Sequence, residues 1–315
     1  LICNLTWAHP PSHGFSYFGE LKYPAGMSHF DFVNPNAPRG GRVTVPGIGT
    51  FNNLQPYSDK GTAPYYIDNL YDPLMRQSQD ELASWYGWLA ESVETADDFS
   101  WVEYTLRRNA TWHDGKPLTV EDVVWTFEAI KTRGSPSLRS SYRDIEEIEQ
   151  TGPWSFRFVF AQAAEKTPQL VIQTTGFYPI PKHYWESREF NSTTMQPPPG
   201  SGPYRIGEIE AGSRITLQRV PDYWARDLNV AQGYFNFDEL EVIYFFDVSV
   251  MVQALRAGVL DYYREQNESN FATAYNFPGA ESGLFKKVTY TMGQSYGMHY
   301  SVVFNTRRPI FANIK

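Results

Sequence analysis

The sequence predicts a mixed α/β (α+β) fold, and three features predict it. Short runs of alternating apolar and polar residues are spread along the chain, runs with helical periodicity lie between them, and Gly or Pro sits at most junctions. The 315 residues are enough for about two domains of ordinary size. Apolar residues make up 42% and charged residues 20%, so the chain can bury a sizeable core and is not a disordered acidic one. No internal repeat and no coiled-coil heptad is visible.

The elements follow in order. Gly40-Gly41 is a turn into a short alternating strand, Arg42 to Val45, which Pro46 is expected to end. A loop follows from Gly47 to Tyr57, with Thr50, Phe51, Asn52 and Asn53 at its tip. Residues 65–76 place Ile67, Leu70, Tyr71 and Leu74 at helical spacing and predict a helix. Residues 81–88 read as a polar turn and 89–95 as a strand. Residues 100–107 alternate, with Val102, Tyr104 and Leu106 on one face and Trp101, Glu103, Thr105 and Arg107 on the other. His113-Asp114-Gly115-Lys116-Pro117 is a turn. Thr119 is placed as the N-cap of a helix, with Asp122 three residues on, and Val123, Val124, Phe127 and Ile130 form its apolar face. Glu121 and Asp122 suit the positive end of its dipole. Gly134 and Pro136 stop it.

Residues 145–149 and 155–160 read as a strand pair around Thr151-Gly152-Pro153. Residues 191–203, rich in Pro, Gly, Ser and Thr, form the clearest loop. Strands are expected at 202–208, 214–219 and 237–245, then a helix at 248–257 that Gly258 ends. Strands at 284–290 and 297–304 complete the prediction.

Composition excludes several functions. Lys+Arg 27 against Asp+Glu 35 gives a net charge of −8 with no basic run, a poor match to nucleic acid. No stretch of about 18 apolar residues is present to cross a membrane. The single cysteine, Cys3, cannot form a disulfide within the chain. The six histidines are scattered and show no metal-ligand spacing, so neither a metal nor another cofactor is expected. Neither a Gly-x-Ser-x-Gly elbow nor a phosphate-binding glycine loop occurs. Among 35 acidic residues a glycosidase carboxylate pair remains open as the reading from a different class. The aromatic content is the unusual number: Trp 9, Tyr 21 and Phe 21 amount to 16% of the chain. Tyr65-Tyr66, Tyr142, Tyr262-Tyr263, Tyr296 and Tyr300 fall near loops or strand ends, where a minority lining a cleft would suit an amphipathic ligand.

The two ends carry their own expectations. Residues 1–8 are mildly apolar, and Thr6-Trp7-Ala8 has a small-x-small pattern; they are read as the remnant of a secretory signal peptide. Residues 307–315 stop without a cap or a polar tail, so the chain is read as the front part of a longer protein.

One stretch carries a resemblance. Tyr104-Thr-Leu-Arg-Arg-Asn-Ala-Thr-Trp112-His-Asp-Gly-Lys-Pro-Leu-Thr-Val-Glu-Asp-Val-Val-Trp125-Thr-Phe127 resembles the signature of the family 5 extracellular solute-binding proteins, the oligopeptide, dipeptide and nickel receptors of ABC importers. Four further segments are similar to elements of that family. They are Gly40-Gly41-Arg42-Val43, Gly200-Ser201-Gly202-Pro203-Tyr204-Arg205, the run from Val252 to Asp261, and Phe304-Asn305-Thr306 through Phe311. His29 to Gly41 resembles the Yej-type branch, which is associated with oligopeptides and the peptide-nucleotide antibiotic microcin C.

The resemblance implies a two-lobed periplasmic-binding-protein fold (type II, cluster C-like), truncated before a third domain. Domain I would comprise 9–58 and 177–305, domain II 59–176, and 306–315 would begin domain III. It implies a monomeric, non-enzymatic periplasmic receptor with no cofactor, which closes around an oligopeptide and delivers it to the transmembrane subunits of an ABC permease. A non-peptide solute (an oligosaccharide, a metal chelate or an opine) is the alternative ligand within the same fold. By position, the ligand would meet Thr50, Phe51, Asn52, Asn53, Tyr142, Tyr296, Met298 and Tyr300.

Overall fold

The computed structural model describes residues 9–289. In chain order its strands are β1 (Gly14–Ser16), β2 (Arg42–Ile48), β3 (Met75–Gln77), β4 (Ser84–Gly87), β5 (Ala90–Thr95), β6 (Trp101–Leu106), β7 (Ile145–Gln150), β8 (Ser155–Phe160), β9 (Tyr204–Glu210), β10 (Arg214–Arg219) and β11 (Glu239–Phe245). The helices are α1 (Val120–Arg133), α2 (Pro136–Ser141), α3 (Pro168–Thr175), α4 (Lys182–Trp185), α5 (Val248–Arg256), α6 (Glu268–Thr273) and α7 (Pro278–Glu281). The strands form three sheets, ordered β1-β4-β3, β2-β11-β10-β9 and β5-β6-β8-β7.

The antiparallel sheet β5-β6-β8-β7 follows the predicted alternation. Val102, Tyr104 and Leu106 are buried, and so are Phe156, Phe158 and Phe160 of β8. α1 covers this face with Val123, Phe127 and Ile130. Tyr104, Phe127 and Phe177 each meet the Phe158 ring edge-on. Burying each such side chain contributes roughly 1.5–3 kcal/mol. α1 starts as expected, because the Asp122 carboxylate accepts from Thr119 N at 3.0 Å. The same carboxylate accepts from Lys182 N at 3.0 Å, so the cap also anchors α4.

In the second sheet β10 pairs antiparallel with β9 and with β11, while β11 pairs parallel with β2, from Glu239 beside Arg42 to Phe245 beside Ile48. β2 therefore lies at a sheet edge. There Pro46, expected to stop the strand, is accommodated in its middle, since an edge residue can do without a ladder donor.

Three other expectations are corrected. Residues 65–76 form only a 3-10 turn at Ile67–Leu70 before the chain enters β3. Leu70, Tyr71 and Leu74 are buried as their spacing implied. The helix does not form because Pro73 cannot donate a helical hydrogen bond and because Gly202 N takes the Leu70 carbonyl at 2.8 Å. A Cβ at Gly202 would stand 2.3 Å from the Asn69 carbonyl oxygen, and one at Gly200 would stand 1.9 Å from that of Leu70, so only glycine permits this approach. Second, the polar turn expected at 81–88 contains β4, which pairs with the unanticipated β1. Third, residues 284–289 adopt no strand. The strand expected at 297–304 lies outside the described residues.

The turn His113-Asp114-Gly115 has a structural task. His113 N donates to Gly200 O at 2.7 Å, and Gly200 N donates to His113 Nδ1 at 3.0 Å. Nε2 then donates to Gly202 O at 2.8 Å. Burial holds the imidazole below its ordinary pKa, in keeping with the neutral ring this arrangement needs.

Candidate functional site

The parallel strands β2 and β11 end side by side, joined beyond their last residues by Gly49 N donating to Phe245 O at 2.9 Å. Ligands in sheets with parallel strands collect beyond such carboxyl ends. This edge carries a group of accessible aromatic and polar residues.

The loop after β2 supplies the first wall, and its four expected residues divide into two kinds. Thr50 and Asn52 are exposed, while Phe51 and Asn53 are buried. The Thr50 hydroxyl donates to Gly212 O at 3.0 Å, and Asn52 Oδ1 accepts from Thr62 N at 2.7 Å. Phe51 packs on the Tyr244 ring with centroids 5.0 Å apart. Asn53 Oδ1 accepts from Gln55 N at 2.9 Å and Thr194 N at 3.0 Å, and its Nδ2 donates to Lys60 O at 2.9 Å. Phe51 and Asn53 thus shape the loop, and Thr50 and Asn52 face solvent from it.

The second wall is aromatic. Tyr65 N donates to the Tyr244 hydroxyl at 2.7 Å, and the two rings stack at 5.9 Å. Both lie over Gly47, where a Cβ would come within 2.7 Å of Tyr244 and 2.9 Å of Tyr65. Burial pushes the Tyr244 phenol up to about 12, so it stays neutral at physiological pH. Tyr65 itself remains 49% exposed. The next residue, Tyr66, holds φ at 64°, a left-handed conformation costly for a bulky side chain. Its phenol is raised first by burial and then by Tyr262, which places these two side chains within electrostatic reach. Tyr262 and Phe246, just past β11, are also exposed.

Tyr142 sits elsewhere, packed edge-on to Phe127 and Phe177. Burial pushes its phenol up to about 12, and a hydrogen bond to Tyr57 opposes the rise. Tyr57 belongs to a stack with Tyr178 and Tyr71, with centroid distances to Tyr178 of 4.8 and 5.5 Å. Tyr142 therefore borders the core and is not brought to the β2–β11 edge. Tyr296, Met298 and Tyr300 lie outside the described residues.

Sequence reasoning selected the loop tip but not Tyr66, Tyr262 or Phe246 as site residues. The doubled tyrosines at 65–66 and 262–263 were the available signal. It missed Asp72 altogether. This buried carboxylate accepts from Trp88 Nε1 at 2.9 Å, Tyr223 Oη at 2.5 Å and Trp224 Nε1 at 2.9 Å, and Asp72 N donates to Ser201 Oγ at 3.0 Å. Desolvation raises its pKa to about 6 against the opposing pull of these donors. Asp72 ties together the segments around residues 72, 88, 201 and 223–224. Among the described residues no group of His, Cys, Asp and Glu is arranged to hold a metal, and no helix is long and apolar enough to cross a membrane.

The strand-end edge is thus lined by aromatic and amide side chains, and comparison with known proteins gives the family of the chain. Residues 84–315 match the family model described as bacterial extracellular solute-binding proteins, family 5 Middle. The chain belongs to this family. It is 37% identical over 97% of its length to a protein of Agrobacterium fabrum named peptidoglycan-binding protein YepA, of which it covers 52%. It is 38% identical over 96% of its length to the probable peptide-binding protein YejA of the same organism, covering 50% of that protein. The chain thus spans about half the length of these relatives. Among solved structures, the oligopeptide-binding protein AppA of Bacillus subtilis, in complex with a nonapeptide, superposes with a TM-score of 0.62 at 24% identity, over 77% of this chain and 47% of AppA. The last likeness concerns the fold alone.

Proposed function

We propose that this chain is part of a periplasmic receptor of an ABC importer that captures oligopeptides and delivers them to the permease. The relation to Yej-type proteins, two of them named for peptide or peptidoglycan binding, is the observation that carries the reading. The β2–β11 edge supports it: Thr50 and Asn52 offer hydrogen bonds, and Tyr65, Tyr66 and Tyr262 offer apolar surface. A flat aromatic wall beside polar loop groups suits an extended peptide held by its backbone, with little selection for side-chain type. The lobes run over 9–58 with 177–305 and over 59–176, and the receptor works as a monomer by hinge closure. Thr50, Phe51, Asn52 and Asn53 serve the site directly or by shaping its loop, with Tyr142 on the second lobe and Tyr296, Met298 and Tyr300 on the approach to a third. Residues 1–8 are the end of an export signal. No step of catalysis is part of this reading.

The relative named for peptidoglycan favours one particular peptide class, the short stem peptides of cell-wall fragments, with or without their sugar. Microcin C is a narrower ligand of the same kind, a peptide joined to a nucleotide. The test is to express the open reading frame containing this chain in the periplasm, purify it without denaturant, and identify released small molecules by mass spectrometry. A ladder of short peptides supports the proposal, and stem peptides carrying diaminopimelate select the cell-wall class. Oligosaccharides, opines or metal chelates without peptide would overturn the ligand and keep the fold.

A further inference from the structure

A cavity lies at the opposite end of the same sheet from the β2–β11 carboxyl ends. β10 and β11 span six and seven residues, so the two ends are about 20 Å apart at ~3.3 Å per residue. The cavity is partly open to solvent and offers about 210 Å³. Its lining combines three arginines, Arg39, Arg219 and Arg226, and one carboxylate, Asp227, with Tyr223, Tyr234, Phe235 and a few small apolar residues. A concentration of cations around an aromatic cavity stands out in a chain of net charge −8.

The charges are only partly balanced. Arg226 Nε donates to Asp227 Oδ2 at 3.1 Å, and its Nη1 donates to Pro221 O at 3.1 Å. Arg219 pairs through Nη2 with Asp238, while its buried Nε has no partner among the described residues. Arg39 is exposed and has no hydrogen bond or ion pair among the described residues. The buried Tyr234 hydroxyl is likewise without a partner among them. Behind the aromatic wall, the Arg76 guanidinium lies 5.6 Å from the Tyr234 ring centroid and 5.3 Å from that of Phe235. Asp227 of the lining and the neighbouring Asp238 are each paired with a lining arginine, the buried Asp72 lies beyond Tyr223, and Asp80 is within electrostatic reach of Tyr234.

We propose that this cavity is a second binding site, for a small organic carboxylate with a flat apolar body. The carboxylate meets Arg39, Arg219 and Arg226, whose guanidinium forks match its geometry. The body lies against Tyr223, Tyr234 and Phe235, which offer ring faces and edges. Inorganic anions satisfy the first requirement and not the second, so the site discriminates against them.

Calorimetric titration of the full chain with benzoate and, separately, with inorganic phosphate tests this. Benzoate is expected to bind in the millimolar range, and phosphate at least about tenfold more weakly, a difference of ~1.4 kcal/mol. Arg39→Gln and Arg226→Gln alter exposed side chains and should each weaken benzoate at least about fivefold with an unchanged melting temperature. Arg133→Gln, outside the cavity, should leave it unchanged. Absence of benzoate binding overturns the proposal. Binding that ignores both cavity variants, or phosphate binding as tight as benzoate, overturns it as well.

Discussion

Three donors converge on the Asp72 carboxylate. Without it Trp88 Nε1 keeps the Tyr223 hydroxyl at 3.0 Å and Trp224 Nε1 keeps Ser201 O at 3.0 Å, but the buried Tyr223 hydroxyl loses its acceptor. At roughly 1–3 kcal/mol for that one stranded donor, Asp72→Ala should cost about 1–3 kcal/mol, read as a fall in the denaturation midpoint. The same residue gives a pH signature. Its folded pKa of about 6 lies above the ordinary 3.8, so the folded chain holds a proton that the unfolded chain releases between these values. This contribution to stability is complete near pH 4 and is lost as pH rises through 6. The window is about two pH units, worth ~1.4 kcal/mol each. Asp80, Asp98, Asp114 and Asp247 are lowered and act in the opposite sense, so the comparison must be with Asp72→Asn. The stability of the parent relative to Asp72→Asn should fall by about 2–3 kcal/mol between pH 4 and 6.5. A flat difference in parallel denaturation curves would refute it. Tyr66 offers a second residue-scale prediction. Tyr66→Gly should relieve its left-handed backbone and stabilise the loop by about 1 kcal/mol. Peptide affinity should drop at the same time, because the ring belongs to the aromatic wall.

At the scale of elements, the Tyr65–Tyr244 stack over β2 depends on the absence of one side chain, at Gly47. Gly47→Val would drive two methyl groups into the Tyr65–Tyr244 stack. Displacing Tyr65 should reduce peptide affinity about tenfold or more, measured by calorimetry, while far-UV circular dichroism stays unchanged. Helix α1 illustrates a different dependence. Thr119→Ala should cost about 1 kcal/mol, the ordinary value of a cap. Asp122→Ala should cost at least about twice that, because its carboxylate also receives Lys182 N and seats α4. Equal losses for the two variants in chemical denaturation would show that the α4 anchor contributes nothing.

At the scale of the molecule, hinge closure around a peptide predicts a smaller radius of gyration with ligand than without, visible by small-angle X-ray scattering. An unchanged scattering curve at saturating peptide would exclude closure. The cluster that includes Tyr57, Tyr71, Phe177 and Tyr204 packs residues from segments far apart in the chain. Such packing is stiff, so movement is expected at the loops between sheets and not within the tyrosine stack.

Much of this architecture was open to sequence reasoning because local rules governed it. The alternation at Val102, Tyr104 and Leu106, the cap at Thr119 and Asp122, and the glycine stop at Gly258 are decided within a few residues, and each formed as expected. The order of residues from Tyr104 to Phe127 was enough to reveal the family, which the match over residues 84–315 bears out. Other features depended on partners far away. Leu70, Tyr71 and Leu74 had helical spacing, yet Gly200 and Gly202, some 130 residues on, took the backbone space and the carbonyl that a helix would have used. Pro46 continued as strand because β2 lies at an edge, which nothing near it in sequence specifies. Within the loop tip, Thr50 and Asn52 face out while Phe51 and Asn53 are held inward by Tyr244 and Thr194. Spacing along a chain reports which residues seek burial and where hydrogen bonds within a turn are available. Which backbone groups are already taken, and which side of a loop meets solvent, is decided only when distant segments pack together.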